Sequence, residues 1–317
     1  MKKILFFLII CFFVQEAHAF WIWSPKTKKW KNPELSALAT PKFQLDKAMK
    51  WFEAEKYKVS VREFRKVLIH YPDSREAAEA QYYLGRCRGE LKKPYQAFLE
   101  YQKVIDTYPN SQRIQEIIER MYNIGEYYLN REPTKWLGMD LSSLTEHPSI
   151  EIFKKIIDAA PYSEYAPQVQ YKLGLLFISL SRFEDASDIF QKLIDNYPEN
   201  KWAKAAKYQL AISASKASPG VDYDDTRRKQ AIDNFNEFVE KYPEADFSAN
   251  AQNKLRILKE KEAKKNFDIA CFYERQKKIR SAVIYYEIIV NDFGDTSYAK
   301  KAKESLLKLK PEENLQE

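Results

Sequence analysis

The sequence is poor in glycine, cysteine and histidine. Its 317 residues include only 7 glycines, 3 cysteines and 3 histidines. So few glycines argue against Gly-rich nucleotide-binding folds and against β-sandwiches with many tight turns. So few cysteines and histidines leave no framework for a zinc site, and the sequence contains neither a P-loop nor a GxGxxG motif. We therefore expect a protein that has no metal or cofactor and is not an enzyme.

The sequence also lacks blocks of charge of one sign. Charged residues make up 31% of the chain, apolar residues 45% and aromatic residues 15%, and the net charge is +7. Lysine and arginine alternate with glutamate and aspartate, which is typical of solvated helix faces rather than of a nucleic-acid groove. The composition therefore favours a helical, soluble protein that binds neither nucleic acid nor a small-molecule substrate.

The N-terminus has the pattern of a secretory signal peptide. A basic start is followed by the unbroken apolar run Ile4–Val14 and by the A-x-A cleavage pattern Ala17–Ala19. As a helix, the apolar run would span only about half of a hydrocarbon core of ~30 Å. We predict cleavage after Ala19 and export from the cytoplasm; the alternative is an uncleaved N-terminal anchor.

The three cysteines differ in context. Cys11 lies in the apolar run and follows Ile10, whereas a lipobox has a small residue in that place, so lipidation is disfavoured. Cys87 and Cys271 are far apart in the sequence. A disulfide between them is conceivable in an oxidising compartment, but we predict two separate thiols buried in helices.

A repeated pattern runs through the rest of the chain. Six turns, four of them Tyr-Pro, have their anchors at Pro72, Pro109, Pro161, Pro198, Pro243 and Gly294. Eight residues before the anchors stand the aromatics Phe64, Tyr101, Phe153, Phe190, Phe235 and Tyr286. Twelve residues before them stand the small residues Ser60, Ala97, Ser149, Ala186, Ala231 and Ala282. With apolar pairs between aromatic and anchor, these positions form one stripe of an α-helix.

Each anchor predicts the end of one helix and the start of the next. Proline cannot continue a helix, and two residues after the anchors come the N-cap candidates Ser74, Ser111, Ser163, Asn200 and Thr296. We expect their side-chain oxygens to accept from free amides of the following helix. Further on, the pairs Leu84-Gly85, Leu173-Gly174 and Leu210-Ala211 offer small residues where two helices can approach closely.

These spacings resemble the tetratricopeptide repeat (TPR). From Gly85 to Ala97, Tyr101 and Pro109 the offsets are 12, 16 and 24 residues, and they recur from Gly174. The predicted fold is all-α: a right-handed TPR α-solenoid of about five to six helical hairpins with a concave side. A short Trp-rich hairpin or extended segment precedes it.

Departures from the regular spacing predict the organisation of the chain. The segment Asn130–Pro148 is predicted to be an exposed loop, and Ala245 to about Lys278 one continuous helix shared by the last two units. The predicted domains are a signal peptide (1–19), a Trp-rich segment (20–41), N-terminal repeats (42–204), C-terminal repeats sharing the long helix (205–310) and a disordered tail (311–317).

The C-terminal half carries a more specific resemblance. The segment LRILKEKEAKKNFDIACFYERQKKIRSAVIYYEIIV, from Leu255 to Val290, is similar to the long helix and following hairpin of the BamD family. This family is the TPR component of the outer-membrane β-barrel assembly machinery. The resemblance covers about Lys42 to Leu309 and is firmest from Ala205. Tyr285 stands where the family can carry an arginine that faces its barrel-forming partner.

The resemblance implies a non-enzymatic scaffold in the periplasm of a Gram-negative cell, peripheral to the inner leaflet of the outer membrane. Its C-terminal repeats would bind a POTRA domain of the barrel insertase, and its N-terminal repeats would receive unfolded outer-membrane proteins. The alternative is a periplasmic TPR adaptor for cell-envelope constriction or peptidoglycan synthesis. Such adaptors often begin with a coiled coil, and no heptad run precedes Lys42 here.

Three sets of residues are candidates for binding. A concave groove for an extended peptide is predicted at Met49, Phe52, Tyr82, Arg86, Tyr122 and Glu126, although such aromatics also suit the core between repeats. A POTRA surface is predicted at the basic turn of Arg275, Lys277, Lys278 and Arg280 with Tyr285; a solvated hairpin tip is the alternative. Either a cap on the first repeat or a membrane contact is predicted at Trp21, Trp23 and Trp30.

Overall fold

The structure is a computed structural model that describes residues 22–24, 28–31, 36–131, 135–136, 139–140, 146–217 and 225–313. The predicted signal peptide, with Cys11, and Trp21 lie outside the described residues. Two short hairpins are described, formed by β1 (Ile22–Ser24) with β2 (Lys29–Lys31) and by β3 (Lys135–Trp136) with β4 (Met139–Asp140).

Thirteen α-helices account for nearly all of the remaining described residues. They are α1 (Pro41–Glu53), α2 (Tyr57–His70), α3 (Arg75–Glu90), α4 (Pro94–Thr107), α5 (Ile114–Leu129), α6 (Pro148–Ala159), α7 (Tyr165–Ser179), α8 (Phe183–Asn196), α9 (Lys201–Ala217), α10 (Asp225–Lys241), α11 (Ser248–Arg275), α12 (Ile279–Asp292) and α13 (Ser297–Glu313). The all-α prediction is confirmed, with six helix pairs and a final helix. α13 reaches three residues into the predicted tail.

The predicted helix stripe forms the core. Each of the six aromatics that precede a turn by eight residues is at most 3% exposed, and each of the six small residues that precede it by twelve is at most 1% exposed. A position shared by all repeats is thus buried in all of them. The pattern therefore reports the packing of each helix pair and not a chance periodicity.

Three of the described glycines lie where an aromatic ring of the next helix presses on the backbone. A Cβ atom built on Gly85 would lie 2.5 Å from the ring of Tyr101, and one built on Gly174 would lie 2.5 Å from Phe190. The predicted close approach is therefore confirmed at both positions. Gly125 meets Phe153 in the same way. The sequence reasoning missed this pair because the segment after Asn130 separates the glycine from its ring.

The predicted side-chain caps are wrong at four of the five positions. Ser74, Ser163 and Thr296 donate their hydroxyls to the backbone oxygen three residues earlier, at 2.8, 2.8 and 2.7 Å. A hydroxyl can donate as well as accept, and here donation closes the turn before the helix. Ser111 accepts from the amide of Arg113 at 3.3 Å, but Arg113 precedes α5, so this bond also closes the turn and does not cap the helix. Asn200 accepts as predicted, from the amide of Trp202 in α9 at 3.0 Å.

The tyrosines of the Tyr-Pro turns link neighbouring repeats. Tyr108 donates its hydroxyl to the backbone oxygen of Pro72 at 3.1 Å, and Tyr197 donates to that of Pro161 at 2.5 Å. Each bond spans 36 residues and joins one turn to the turn before it. These two tyrosines therefore hydrogen-bond neighbouring repeats to each other, in addition to marking the turns in the sequence.

The same buried polar cluster occurs within each of the first two helix pairs and links the two helices of that pair. Gln44 Nε2 donates to Glu63 Oε2 at 2.8 Å and to the Glu63 backbone oxygen at 3.1 Å, while Lys66 Nζ donates to Glu63 Oε1 at 3.0 Å. One repeat later, the same arrangement is formed by Gln81, Glu100 and Lys103. Because the carboxylates are buried but paired, their burial is compatible with a stable fold.

The long helix is confirmed with shorter ends than predicted. α11 runs unbroken for 28 residues from Ser248 to Arg275. Its alanines Ala263 and Ala270 are fully buried in a cluster that also includes Ala282 and Tyr286 of α12 and Ala302 of α13. α11 packs on α10 as well as on α12 and α13, so one helix serves both of the last pairs.

The segment after Asn130 differs from the predicted loop. It contains a β-hairpin in which Lys135 pairs with Asp140 and Trp136 with Met139 in antiparallel register. The irregular spacing predicts an exposed loop, because two strands of two residues are too short to produce a visible alternation in the sequence.

The chain divides into two compact units, one through Ala159 and the other from Ala160. The first holds α1–α6 and the second α7–α13. The predicted division into N-terminal repeats (42–204) and C-terminal repeats that share the long helix (205–310) stays a prediction. Cys87 in α3 and Cys271 in α11 are both free thiols, as predicted, but only Cys87 is buried as predicted, whereas Cys271 is half-buried.

Candidate functional site

The structure brings part of the predicted groove together on α1 and α3. The guanidinium of Arg86 lies over the ring of Phe52, 5.4 Å from its centroid. Phe52 also contacts Tyr83 and Tyr57 edge-on, with ring centroids 5.2 and 5.6 Å apart. Phe52 and Arg86 are both half-buried, so each keeps a surface that a ligand could reach. An arginine stacked on an aromatic is held in place without losing its charge.

Tyr82 has no exposed surface and belongs to the interior of the first unit. Its hydroxyl donates to Glu116 and accepts from Arg86 Nη1 and Arg120 Nε, both at 3.2 Å. Burial, together with the hydrogen bond to Glu116, raises the pKa of Tyr82. Of the two roles that the sequence allowed for this aromatic, the structure thus places it in the core between repeats, from where it orients Arg86.

An ion-pair network around Tyr82 was missed by the sequence reasoning. Arg113 Nε donates to Glu79 Oε1 at 3.1 Å, and Arg120 Nη2 donates to Glu116 Oε1 at 2.8 Å. Burial alone would lower the pKa of Arg120, but the hydrogen bonds that Arg120 donates to Glu116 and to the Tyr82 hydroxyl keep it above its ordinary value. With Arg86, this network holds three cations against two carboxylates, an excess that suits an anionic group. Glu116 and Arg120 are four residues apart, one helical turn, and this spacing was the sequence signal from which their ion pair could have been predicted.

The other predicted groove residues occupy neighbouring positions. Met49 packs against the core of the first helix pair. Tyr122 and Glu126 are half-buried and lie one turn apart on α5.

An open cleft adjoins this network. It has a volume of about 650 Å³ and is lined by residues of α3, α4 and α5: Gly89, Pro94, Ala97, Tyr101, Arg120, Asn123, Ile124 and Tyr127. A Cβ on Gly89 would meet nothing within 4 Å, so the cleft reaches the backbone of α3. Arg120 thus belongs to the ion-pair network around Tyr82 and also lines the cleft, whose walls are polar and aromatic.

The predicted basic turn lies between α11 and α12. Arg275, Lys277, Lys278 and Arg280 are all exposed, and Lys277 has a φ of 57°, which lets the chain reverse between the helices. Lys278 Nζ lies 6.0 Å from the centroid of the Tyr273 ring. Tyr273 in turn stacks on the predicted residue Tyr285, with centroids 5.7 Å apart and planes inclined by 16°. The turn therefore presents exposed cationic side chains next to a pair of stacked tyrosine rings.

Apolar side chains flank this turn, and the sequence reasoning missed them. Phe272, near the end of α11, is 52% exposed, and Ile284 on α12 is 57% exposed. Large apolar residues with this exposure beside cations are typical of protein interfaces. The helical spacing of α11 and α12 places Phe272 and Ile284 outside the buried positions, and this was the signal from which their exposure could have been predicted.

Of the predicted tryptophan set, Trp23 and Trp30 are described and Trp21 is not. Trp23 and Trp30 pair across β1 and β2, with ring centroids 5.6 Å apart. In the described part of the chain, no group of three His, Cys, Asp or Glu side chains is placed to hold a metal ion. None of the described helices is long and apolar enough to span a membrane.

Paired helices, buried aromatic stripes and open side-chain surfaces define a TPR protein. A TPR model matches residues 79–111, in agreement with the repeat that starts near Gly85. The model of the YfiO family, described as outer membrane lipoprotein, matches residues 140–315, more than half of the chain. The chain therefore belongs to the YfiO family.

A named relative supports the same family. The outer membrane protein assembly factor BamD of Rickettsia prowazekii (strain Madrid E) is 23% identical over 185 residues, which cover 58% of this chain and 69% of that protein. The resemblance to the BamD family drawn from the long helix is thus confirmed.

Solved structures with a likeness to the chain include a MamA protein and part of a TPR repeat-containing protein. MamA (41-end) of Desulfovibrio magneticus RS-1 is 16% identical and covers 67% of this chain and 99% of its own, with a TM-score of 0.30. The C-terminal part of a TPR protein from Cytophaga hutchinsonii is 15% identical and covers 83% and 87%, with a TM-score of 0.33. Scores this low carry no argument about function.

Proposed function

We propose that the chain is a non-enzymatic periplasmic scaffold of outer-membrane β-barrel protein assembly. Its second unit binds a POTRA domain of the barrel insertase through the basic turn, and its first unit binds extended segments of unfolded outer-membrane proteins. The observation that carries the proposal is the family match over residues 140–315, because this range includes the whole of the basic turn. The relative from Rickettsia prowazekii, an outer membrane protein assembly factor, points in the same direction.

The basic turn has the properties of a protein-binding surface. It combines four exposed cations with the stacked pair Tyr273 and Tyr285 and with exposed Phe272 and Ile284. Aromatic residues and arginine are enriched in interface centres, and a charged rim steers association. Tyr285 supports a stacking contact here, in the place of an ion pair.

The groove of the first unit has the properties of an extended-peptide site. Phe52 and Tyr83 offer ring surfaces, and Arg86 offers a guanidinium held over Phe52. The cleft beside Arg120 can take an aromatic side chain between Tyr101 and Tyr127. A strand end that carries an aromatic residue and a carboxylate matches both features.

The test of the POTRA surface uses the purified periplasmic POTRA region of the insertase from the same cell. Lys277→Glu/Lys278→Glu/Arg280→Glu should weaken binding by about tenfold or more, since it reverses the charge of the tip. Lys300→Glu/Lys303→Glu/Lys308→Glu on α13 makes the same change in net charge at other exposed lysines and should leave binding unchanged. Equal loss in both variants would contradict the proposal.

The test of the groove uses peptides from the C-termini of outer-membrane proteins, with either a free or an amidated carboxyl group. Arg86→Ala should weaken binding of the free acid and leave binding of the amide nearly unchanged. A matched control is Arg62→Ala, at an exposed position on α2. Pull-down from an envelope extract distinguishes the alternative function: recovery of constriction or peptidoglycan-synthesis proteins without the barrel insertase would contradict the assembly role.

A further inference from the structure

The N-terminal hairpin presents a pair of tryptophans to solvent. Trp23 and Trp30 face each other in the register of β1 and β2, and their rings meet edge-to-face at 5.6 Å and 64°. The two side chains are nevertheless 46% and 62% exposed. Indole rings that contact each other and stay this exposed form an apolar patch with polar N–H groups, a combination that suits the membrane–water interface.

The charge around this pair has one sign. Residues 20–33 contain four lysines, at positions 26, 28, 29 and 31, and no acidic residue. Lys28 forms the turn between the strands with a φ of 48° and is exposed. Like the basic turn between α11 and α12, the hairpin therefore carries a local excess of positive charge. It complements an anionic lipid surface.

The geometry points to a peripheral membrane contact: the Trp23–Trp30 hairpin docks on the surface of a bilayer that contains anionic phospholipid. The rings insert at the headgroup level, and the exposed Lys28 contacts the phosphates. Short hairpins with two tryptophans bind weakly and reversibly, so this contact orients the chain on a membrane and does not anchor it alone. The inference concerns a surface that the proposed binding of POTRA and of unfolded proteins does not use.

The occupant follows from exposure and charge together. A cap on the first repeat would bury the indoles against protein, whereas both remain about half exposed or more. An apolar protein partner would account for the rings but not for four lysines without a single carboxylate. A phospholipid surface with negative charge accounts for both, since interfacial aromatics and juxtaposed lysines act on different layers of the same bilayer.

The test measures sedimentation with vesicles, using the chain from Phe20 so that the apolar run Ile4–Val14 does not itself insert. This form keeps every residue that the structure describes. The protein should bind vesicles of equal parts phosphatidylglycerol and phosphatidylcholine and should bind phosphatidylcholine alone at least about tenfold less. Trp23→Ser/Trp30→Ser should weaken binding to the anionic vesicles by about tenfold or more. Lys→Gln at positions 26, 28, 29 and 31 should do the same.

Matched controls remove similar groups elsewhere. Tyr162→Ser/Leu307→Ser removes side chains that are 98% and 78% exposed, and Lys→Gln at 254, 300, 303 and 308 removes four exposed lysines. Neither should change binding. The inference is overturned if the parent protein does not bind, if neutral vesicles bind it equally well, or if the tryptophan variant binds like the parent. It is also overturned if that variant lowers the thermal unfolding midpoint, because the hairpin would then be a cap.

Discussion

Two glycines on α3 show what single residues contribute to the fold. Gly85 and Gly89 lie one turn apart on the same helix, yet only Gly85 faces a ring. The sequence predicts the first, since its spacing to Tyr101 is that of the repeat. It does not predict that Gly89 borders an open cleft, because the cleft is made by residues of three helices. Patterns within one repeat are visible in a sequence; hollows between helices are not.

Substituting these two glycines should have opposite effects on stability. Gly85→Ala places a Cβ 2.5 Å from Tyr101, and relieving the clash should lower the free energy of unfolding by about 1–3 kcal/mol. Gly89→Ala meets nothing and improves helix propensity, so it should raise the free energy by up to about 1 kcal/mol. Urea unfolding followed by circular dichroism measures both. Equal effects would mean that the ring does not pack on Gly85.

The carboxyl group of Glu63 should make stability depend on pH in the acid range. Its burial alone would raise its pKa, but hydrogen bonds from Gln44, Lys66 and Lys47 outweigh burial and lower it. A lowered pKa in the folded state stabilises the protein above the unfolded value of about 4.3, and this stability is lost as the pH falls through the folded value.

Glu63→Gln should therefore be less stable than the parent at neutral pH, and the difference should shrink below about pH 4. Thermal midpoints across pH 3–7 measure it. Glu119→Gln, at an exposed position of α5, is the control and should track the parent at each pH. A difference for Glu63→Gln that is constant with pH would show that Gln44 and Lys66 do not stabilise the charged form.

Among the elements, the long helix was the most predictable and its ends the least. No breaker interrupts the sequence between Ala245 and Lys278, which predicts its continuity. The start moves to Ser248 because the preceding residues form a turn in which the Ala245 amide donates to Tyr242. The end moves to Arg275 because Lys277 adopts a left-handed conformation. Both shifts depend on the backbone geometry of the turns at the ends of the helix. The spacing of apolar residues in the sequence carries no information about that geometry.

The continuity of α11 should hold the last helices in place. Lys264 is exposed in the middle of α11, next to the buried Ala263. Lys264→Pro removes a backbone hydrogen bond and should cost about 3 kcal/mol or more, without removing any buried side chain. Hydrogen exchange in α12 and α13 should become faster, since their core includes Ala263 and Ala270. Lys264→Ala is the control and should leave exchange unchanged.

At the scale of the whole molecule, the residues of the two proposed binding surfaces fall in different compact units. Phe52 and Arg86 lie in the unit that ends at Ala159, and the basic turn lies in the unit that starts at Ala160. The sequence predicts the repeats that carry both surfaces but not the Tyr82 network or the exposed Phe272 and Ile284, because these depend on contacts and exposure across helices. A TPR pattern is thus informative about architecture and much less so about the surface.

This separation predicts that the two partners bind without competition. In a fluorescence anisotropy titration, the affinity for an outer-membrane C-terminal peptide should change by less than about twofold when the POTRA fragment is present at saturation, because uncoupled sites have a coupling free energy near zero. Arg86→Ala should weaken the peptide alone, and Lys277→Glu/Lys278→Glu should weaken the POTRA fragment alone. Displacement of the peptide by the POTRA fragment would contradict two separate surfaces. It would place both partners on one of them, and the variant that abolishes both interactions would identify which one.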